Sequence, residues 1–102
     1  MHLVQLFLPL YDNDGHVFPK AQLDGVRATL TDRFGGVTAY VRSPAVGAWE
    51  DEQGHVSRDD VVLLEVMVDT VDAGWWRDFR EELEARFRQD EIMLRATPTT
   101  RL

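Results

Sequence analysis

The stretch Asp60–Asp69 constrains the fold more than any other part of the chain. It holds eight consecutive residues that are β-branched or aliphatic apart from Glu65, and an aspartate closes it at each end. The run is too short to cross a membrane as a helix, and it has the length of a β-strand buried on both faces. We therefore expect the other elements to pack around this strand.

Strand-like alternation marks three further segments. Residues 3–11 alternate as a first strand, and Pro9 cannot donate to a ladder, so pairing should thin out near it. Val37–Arg42 alternates as a second strand that Ser43-Pro44 interrupts, and residues 92–96 alternate as the last. Together with the apolar run, these segments predict four strands.

Two other segments have apolar residues at helical spacing. Pro19 suits the first turn of one helix, and Gly35-Gly36 suits its C-terminal cap. Asp72 predicts the N-cap of a second helix that runs from Ala73 to about Gln89. The two stripes share one spacing, with Leu23, Val26, Leu30 and Phe34 in the first helix and Trp76, Phe79, Leu83 and Phe87 in the second.

The resulting order, β-α-β-β-α-β, predicts an α+β fold of the ferredoxin-like type. Its antiparallel sheet has the order 4-1-3-2, and right-handed crossovers place both helices on one face. The first and third strands, which are the most apolar, then lie in the middle of the sheet. A chain of 102 residues forms one domain over residues 1–102, with 45–59 as a protruding arm.

Composition excludes several classes of protein. The absence of cysteine excludes a disulfide framework and a thiolate metal site, and a net charge of −7 argues against nucleic-acid binding. The N-terminal sequence has no basic leader, and no segment has membrane-spanning length, so we expect a cytoplasmic protein without a membrane partner. The three histidines lie far apart in the sequence, and Asp12-Asn13-Asp14-Gly15 does not fit an EF-hand loop, so we expect no metal and no cofactor.

Several short motifs are similar to those of a small bacterial family of unknown function. They are Arg33-Phe34-Gly35-Gly36-Val37-Thr38, Gly47-x-Trp49, a turn at Gly54, Arg58 before the apolar run, Arg86-Phe87-Arg88-Gln89-Asp90, and Leu94-Arg95. The resemblance covers roughly residues 33–95. It implies a ferredoxin-like fold and membership of that uncharacterised family, and it brings no established activity.

The face of the sheet that points away from the helices, here called the open face, carries an apolar patch. Its predicted members are Leu3, Phe7, Tyr40, Leu63, Met67 and Met93, with Gln5, Arg42, Glu65 and Arg95 among them. A patch of this size on a monomer marks an interaction surface. We therefore predict a homo-oligomer in which open faces pack together, with Arg42 close either to the partner subunit's Glu65 or to Glu65 of its own chain.

Five residues form the predicted ligand site: Tyr40, Arg42, Trp49, Arg58 and Glu65. A two-residue turn at Gln53-Gly54 would set Trp49 opposite Arg58 on one face of the arm. Two arginines, one acid and aromatic walls suit a small, partly apolar anion. The alternative is that these side chains only tie the arm to the sheet.

Two classes of function remain open at this point. The first is an oligomeric domain that binds a small molecule or acts as a scaffold. The alternative is a cofactor-free enzyme of the dimeric α+β-barrel type acting on a small apolar or aromatic anion. In that enzyme His55 or Glu65 would be the base, and Arg42 would orient the anionic group.

Overall fold

Helices and strands follow one another in the order that the sequence predicts. The structure, a computed structural model, describes residues 1–42, 49–50, 56–57 and 61–102, with side chains for residues 1–39 and 61–102. The elements are β1 (His2–Pro9), α1 (Lys20–Phe34), β2 (Thr38–Arg42), β3 (Trp49–Glu50), β4 (Val56–Ser57), β5 (Val61–Val68), α2 (Ala73–Arg86) and β6 (Met93–Pro98). None of the described helices is long and apolar enough to cross a membrane.

The main sheet has four strands in the order β2-β5-β1-β6, and every pair is antiparallel. Numbered by chain order, this is the predicted 4-1-3-2 arrangement, and the apolar run forms β5, one of its two central strands. β1 ends at Pro9, two residues before the predicted end, because proline has no N–H for the ladder. Beyond the last pair of the β1–β6 ladder, His2 with Pro98, the Thr99 N–H donates to the Met1 carbonyl at 3.0 Å.

One face of this sheet packs against both helices. Alternate residues of β1 and β5 point to it and are buried, and Val26 and Leu30 of α1 belong to the same buried cluster as Phe79 and Leu83 of α2. At about 25 cal/mol per Å² of apolar surface removed from water, this layer is the main stabilising term. The buried strand residues are Val4, Leu6, Leu8, Val62, Leu64, Val66 and Val68.

The helix ends differ in chemistry. Pro19 was predicted in the first turn of α1 but is its N-cap, so the helix begins one position later, at Lys20. Gly35 at φ 83° ends the helix, and its N–H donates to the Thr31 carbonyl. The Asp72 side chain caps α2 by accepting the Trp75 N–H at 3.1 Å. α2 ends at Arg86, earlier than the predicted Gln89, because the backbone at Arg88 has a positive φ of 53° that cannot continue a right-handed helix.

Where α1 ends and α2 begins, aromatic side chains join the two helices. Phe34 stacks on Trp76 at 5.2 Å between ring centroids, and it meets Trp75 edge-on at 5.3 Å. The Arg33 guanidinium carbon lies 4.3 Å from the Trp75 ring centroid, and Arg33 Nη2 lies 3.8 Å from Asp72 Oδ2. The side chain of Arg33 is thus engaged on the helix side of the molecule.

The described residues of the arm form a short antiparallel pair, and its register corrects a prediction. β3 and β4 pair Trp49 with Ser57 and Glu50 with Val56, so Trp49 is not opposite Arg58. Five residues connect Glu50 to Val56 in this register, whereas the predicted two-residue turn would leave an even number between paired positions. A shift of one residue moves the opposing position to the other face. Arg58 lies outside the described residues.

Candidate functional site

A row of polar residues crosses the open face. The ladder register places Arg95 of β6 beside Gln5 of β1, Gln5 beside Glu65 of β5, and Glu65 beside Thr38 of β2. This row, here called the polar row, therefore spans all four strands of the main sheet. Gln5 and Glu65 are half-buried, whereas Arg95 and Thr38 are exposed.

Hydrogen bonds join three members of the polar row into a chain. Arg95 Nε donates to Gln5 Oε1 at 2.7 Å, and Gln5 Nε2 donates to Glu65 Oε2 at 2.8 Å. The amide must have this orientation, because the reverse one would set a donor against the guanidinium and an acceptor against the carboxylate. Positive charge thus lies at one end of the chain, a neutral amide in the middle, and negative charge at the other end.

Apolar rows flank the polar row on both sides. On one side the register sets Met93, Phe7, Leu63 and Tyr40 across the four strands, and on the other it sets Leu3 beside Met67. Met67 is 46% exposed and Met93 is 54% exposed. The Arg95 guanidinium carbon lies 4.9 Å from the Phe7 ring centroid, so this cation covers part of the apolar surface.

A cleft of about 560 Å³ opens where the polar row meets the end of α1. Glu65 is the one formally charged residue among its described lining, which is otherwise apolar or neutral. The last carbonyls of α1 add partial negative charge at the same place. The lining residues are Leu3, Phe34, Gly35, Gly36, Val37, Thr38, Glu65 and Met67.

Of the five predicted site residues, only Glu65 has a described side chain, and Glu65 lines this cleft. Tyr40 lies on the open face by register, opposite Leu63. Arg42 is paired with Val61, four residues from Glu65 on β5 or about 13 Å along the strand, so it is not the cross-strand neighbour of Glu65. Trp49 is in β3, whereas Arg58 and the candidate base His55 lie outside the described residues.

Sequence reasoning missed most of the cleft lining. Thr38 could have been found, because it alternates onto the same face as Tyr40 and Arg42 in β2. The sequence presents Gly35-Gly36 as a helix cap and as part of a family motif, and neither interpretation indicates that the backbone there lines the cleft. The contribution of α1 depends on how the helix end sits over the sheet edge, which no local pattern in the sequence encodes.

Two other features of the described residues have the form of a site. An apolar cavity of about 260 Å³ lies at the opposite end of the sheet, between Phe18, Leu23 and Phe87, with Lys20 also in its lining. In the turn after β1, ligand atoms of Asp12, Asp14 and His16 lie within 4.8 Å of one another.

The turn has a structural explanation of its own. Asp12 Oδ1 accepts the N–H groups of Asp14 and His16, both at 2.9 Å. The N–H of His16, and to a lesser degree that of Asp14, holds the pKa of the Asp12 carboxyl below its ordinary value of 3.8. The Asp12 carboxylate, which a metal at this position would need as a ligand, therefore already has a structural role in closing the turn.

The fold has known neighbours among solved structures. A phage SAM lyase in complex with S-methyl-5'-thioadenosine matches 94% of this chain and 79% of its own, with a TM-score of 0.64 and 13% sequence identity. The apo state of a phage SAM lyase matches 94% and 78%, with a TM-score of 0.62 and 12% identity. At this identity the likeness shows the fold alone. No protein-family model and no curated protein matches the sequence.

Proposed function

We propose that the protein is a homo-oligomeric domain that binds a small, partly apolar molecule in the cleft beside Glu65. The observation that carries the proposal is the cleft itself, where one half-buried carboxylate stands among Leu3, Phe34, Val37 and Met67. Its volume lies within the range of about 300–1,000 Å³ that is typical of small-molecule sites. The exposed methionines on the same face support oligomerisation, because a second subunit would cover them.

The chemistry of the lining limits what the ligand offers. Glu65 uses Oε2 to accept from Gln5, and its carboxylate can accept further hydrogen bonds. A suitable ligand therefore carries hydroxyl or amino donors for Glu65 and an apolar or aromatic body for the walls. If Arg42 binds the predicted anionic group, that group would lie toward the Val61 end of β5, because Arg42 is paired with Val61.

S-methyl-5'-thioadenosine is a suitable first probe. It combines ribose hydroxyls, an aromatic base and a methylthio group without formal charge, so it matches both the carboxylate and the apolar walls. One of the phage SAM lyase structures that share this fold is a complex with the same molecule, and that likeness of fold supports its choice as a probe.

Titration of the protein with S-methyl-5'-thioadenosine, followed by calorimetry and by backbone amide NMR shifts, tests the proposal. We expect saturable binding with Kd below about 1 mM and shifts at Thr38, Glu65 and Met67. Glu65→Gln should weaken binding about tenfold, since it removes a charge-assisted hydrogen bond. Met93→Leu is the matched control, because Met93 lies on the open face but not among the described residues of the cleft.

The outcomes separate ligand binding from a scaffold role. Light scattering on each variant ensures that a change in affinity is not a change in assembly. Binding that Glu65→Gln leaves intact would place the ligand elsewhere. An oligomer that shows no shifts at millimolar probe would contradict the ligand site and favour a scaffold.

The enzyme alternative is favoured by one observation, the fold shared with a lyase. With Glu65 as the base, the carboxylate would take a proton from the carbon next to the one that carries the sulfonium of S-adenosylmethionine. The C–H electron pair would then form a carbon–carbon double bond while the C–S bond breaks with its electron pair on sulfur, which gives S-methyl-5'-thioadenosine and 2-amino-3-butenoate. Incubation with S-adenosylmethionine and chromatography of the products tests this alternative. Release of S-methyl-5'-thioadenosine by the wild type and not by Glu65→Gln would support it, and release at the buffer rate would contradict it.

A further inference from the structure

We propose that two copies of the chain pack open face to open face about a two-fold axis running along β1, which sets Arg95 of each subunit opposite the partner subunit's Glu65. The inference rests on the self-association proposed above and adds the symmetry and the residue pairing. It follows from the charge order of the polar row, in which Arg95 and Glu65 lie one strand to either side of Gln5.

The charges of the polar row are complementary to those of a copy rotated by 180° about an axis along β1. A two-fold axis parallel to β1 and above Gln5 exchanges the positions of β6 and β5 between subunits. Neighbouring strands are about 4.8 Å apart and packed sheets about 10 Å apart, a gap that arginine and glutamate side chains span together. Both charged residues of the row then meet opposite charge, so the dimer contains two Arg95–Glu65 pairs.

The same axis covers Met93, the most exposed apolar residue of the open face among the described side chains. Met93 on β6 would lie over the position of the partner subunit's Leu63 on β5, which is 6% exposed in the single chain, and the half-buried Phe7 on β1 would meet its own copy at the axis. Met93 is 54% exposed in the single chain, so packing would remove a large apolar surface from water. The charge pattern and the apolar pattern therefore favour one arrangement.

Other two-fold axes between the faces fit less well. An axis along the polar row would set each Arg95 and each Glu65 against its own copy, and like charges at an interface are costly. An axis midway between β1 and β5 would set Glu65 over Gln5 and Arg95 over Thr38, so neither charge would meet its opposite. Placement along β1 is the arrangement that pairs both charges.

Charge reversal tests the pairing. Arg95→Glu makes the row negative at both ends, and Glu65→Arg makes it positive at both ends. Each variant alone should dimerise about 100-fold more weakly than the wild type, because both charge contacts across the interface become repulsive. An equimolar mixture should form a one-to-one heterodimer with affinity within about tenfold of the wild type, measured by sedimentation and native mass spectrometry.

Matched controls separate local pairing from net charge. Lys20→Glu changes the net charge as Arg95→Glu does, and Glu81→Arg changes it as Glu65→Arg does, but both lie on helices away from the open face. The controls should dimerise like the wild type. The heterodimer also excludes damage within one chain as the cause, since a misfolded face would not recover on mixing.

Each outcome decides a separate point. A wild type that is monomeric at high micromolar concentration would overturn both the self-association and the pairing. A dimeric wild type whose reversed variants also dimerise, or whose variants fail to associate when mixed, would overturn the pairing alone.

If a charge-reversal variant does not fold, cross-linking of Gln5→Cys replaces the charge-reversal test, because the chain has no other cysteine and Gln5 lies at the proposed axis. A short bis-maleimide should then link two copies, and failure to link a dimeric protein would overturn the axis.

Discussion

At Arg88 the backbone takes a left-handed conformation, with φ 53°, that side chains rarely adopt. The Gln89 N–H donates to the Glu84 carbonyl at 2.9 Å, and the Arg88 N–H donates to the Ala85 carbonyl at 3.3 Å. This is the Schellman pattern that usually has glycine at its left-handed position. Arginine there carries strain from its Cβ, whereas the bonds it closes involve only backbone atoms.

Arg88→Gly should therefore raise the free energy of unfolding, by about 0.5–1 kcal/mol, because relief of the left-handed strain outweighs the added entropy of the unfolded chain. Arg88→Ala is the control, since it shortens the side chain but keeps the Cβ, and it should not stabilise the protein. Urea unfolding followed by circular dichroism measures both. Equal stabilisation by alanine and glycine would assign the effect to the lost arginine side chain rather than to the backbone.

At the scale of elements, the start of α2 depends on Asp72. Its side chain accepts the Trp75 N–H and also lies near Arg33, so one residue both caps α2 and links it to the end of α1. The cap fixes the first turn, where Trp75 and Trp76 project toward Phe34. Loss of the cap would loosen the helix at the point where it contacts the other helix.

Asp72→Ala should lower the free energy of unfolding by about 1 kcal/mol, the usual effect of removing an N-cap. Asp72→Asn retains a capping oxygen and removes the charge, so it should cost only a few tenths of a kcal/mol from the exposed ion pair. Denaturant unfolding of the two variants compares the contribution of the N-cap to stability with that of the ion pair between Asp72 and Arg33. If asparagine destabilises as much as alanine, the ion pair with Arg33 and not the cap is the stabilising contact.

The comparison between sequence and structure is also clearest at this scale. Val61–Val68 and both helical stripes were predictable, because apolar periodicity records which face each element buries. The pairing of Trp49 with Ser57 was not, since a short strand pair carries too few alternating residues to fix its register. Glu65 could be predicted as a candidate site residue from its position on the open face, but its hydrogen bond to Gln5 depends on the pairing of two distant strands.

For the whole molecule, the sheet order predicts where stability is concentrated. β1 and β5 each pair with strands on both sides, whereas β2 and β6 each pair on one side within the described part of the chain. Amide hydrogen exchange should therefore be slowest in β1 and β5, and faster on the order of tenfold in β6. Exchange read by NMR tests this order. Protection in β6 equal to that in β5 would show that its outer edge is paired in solution.

The backbone hydrogen bond between Thr99 and Met1 has a consequence for the topology of the chain. Because β1 and β6 are neighbours and run antiparallel, the first and last residues of the sheet lie side by side. A short peptide could join them without crossing the molecule, which would leave a closed loop of chain with the same sheet. New ends could then be opened at Gly15, in the exposed turn before α1, to give a circular permutant in which α1 is the first helix or main-sheet strand. The same sheet could thus form from a chain in which the elements occur in a different order.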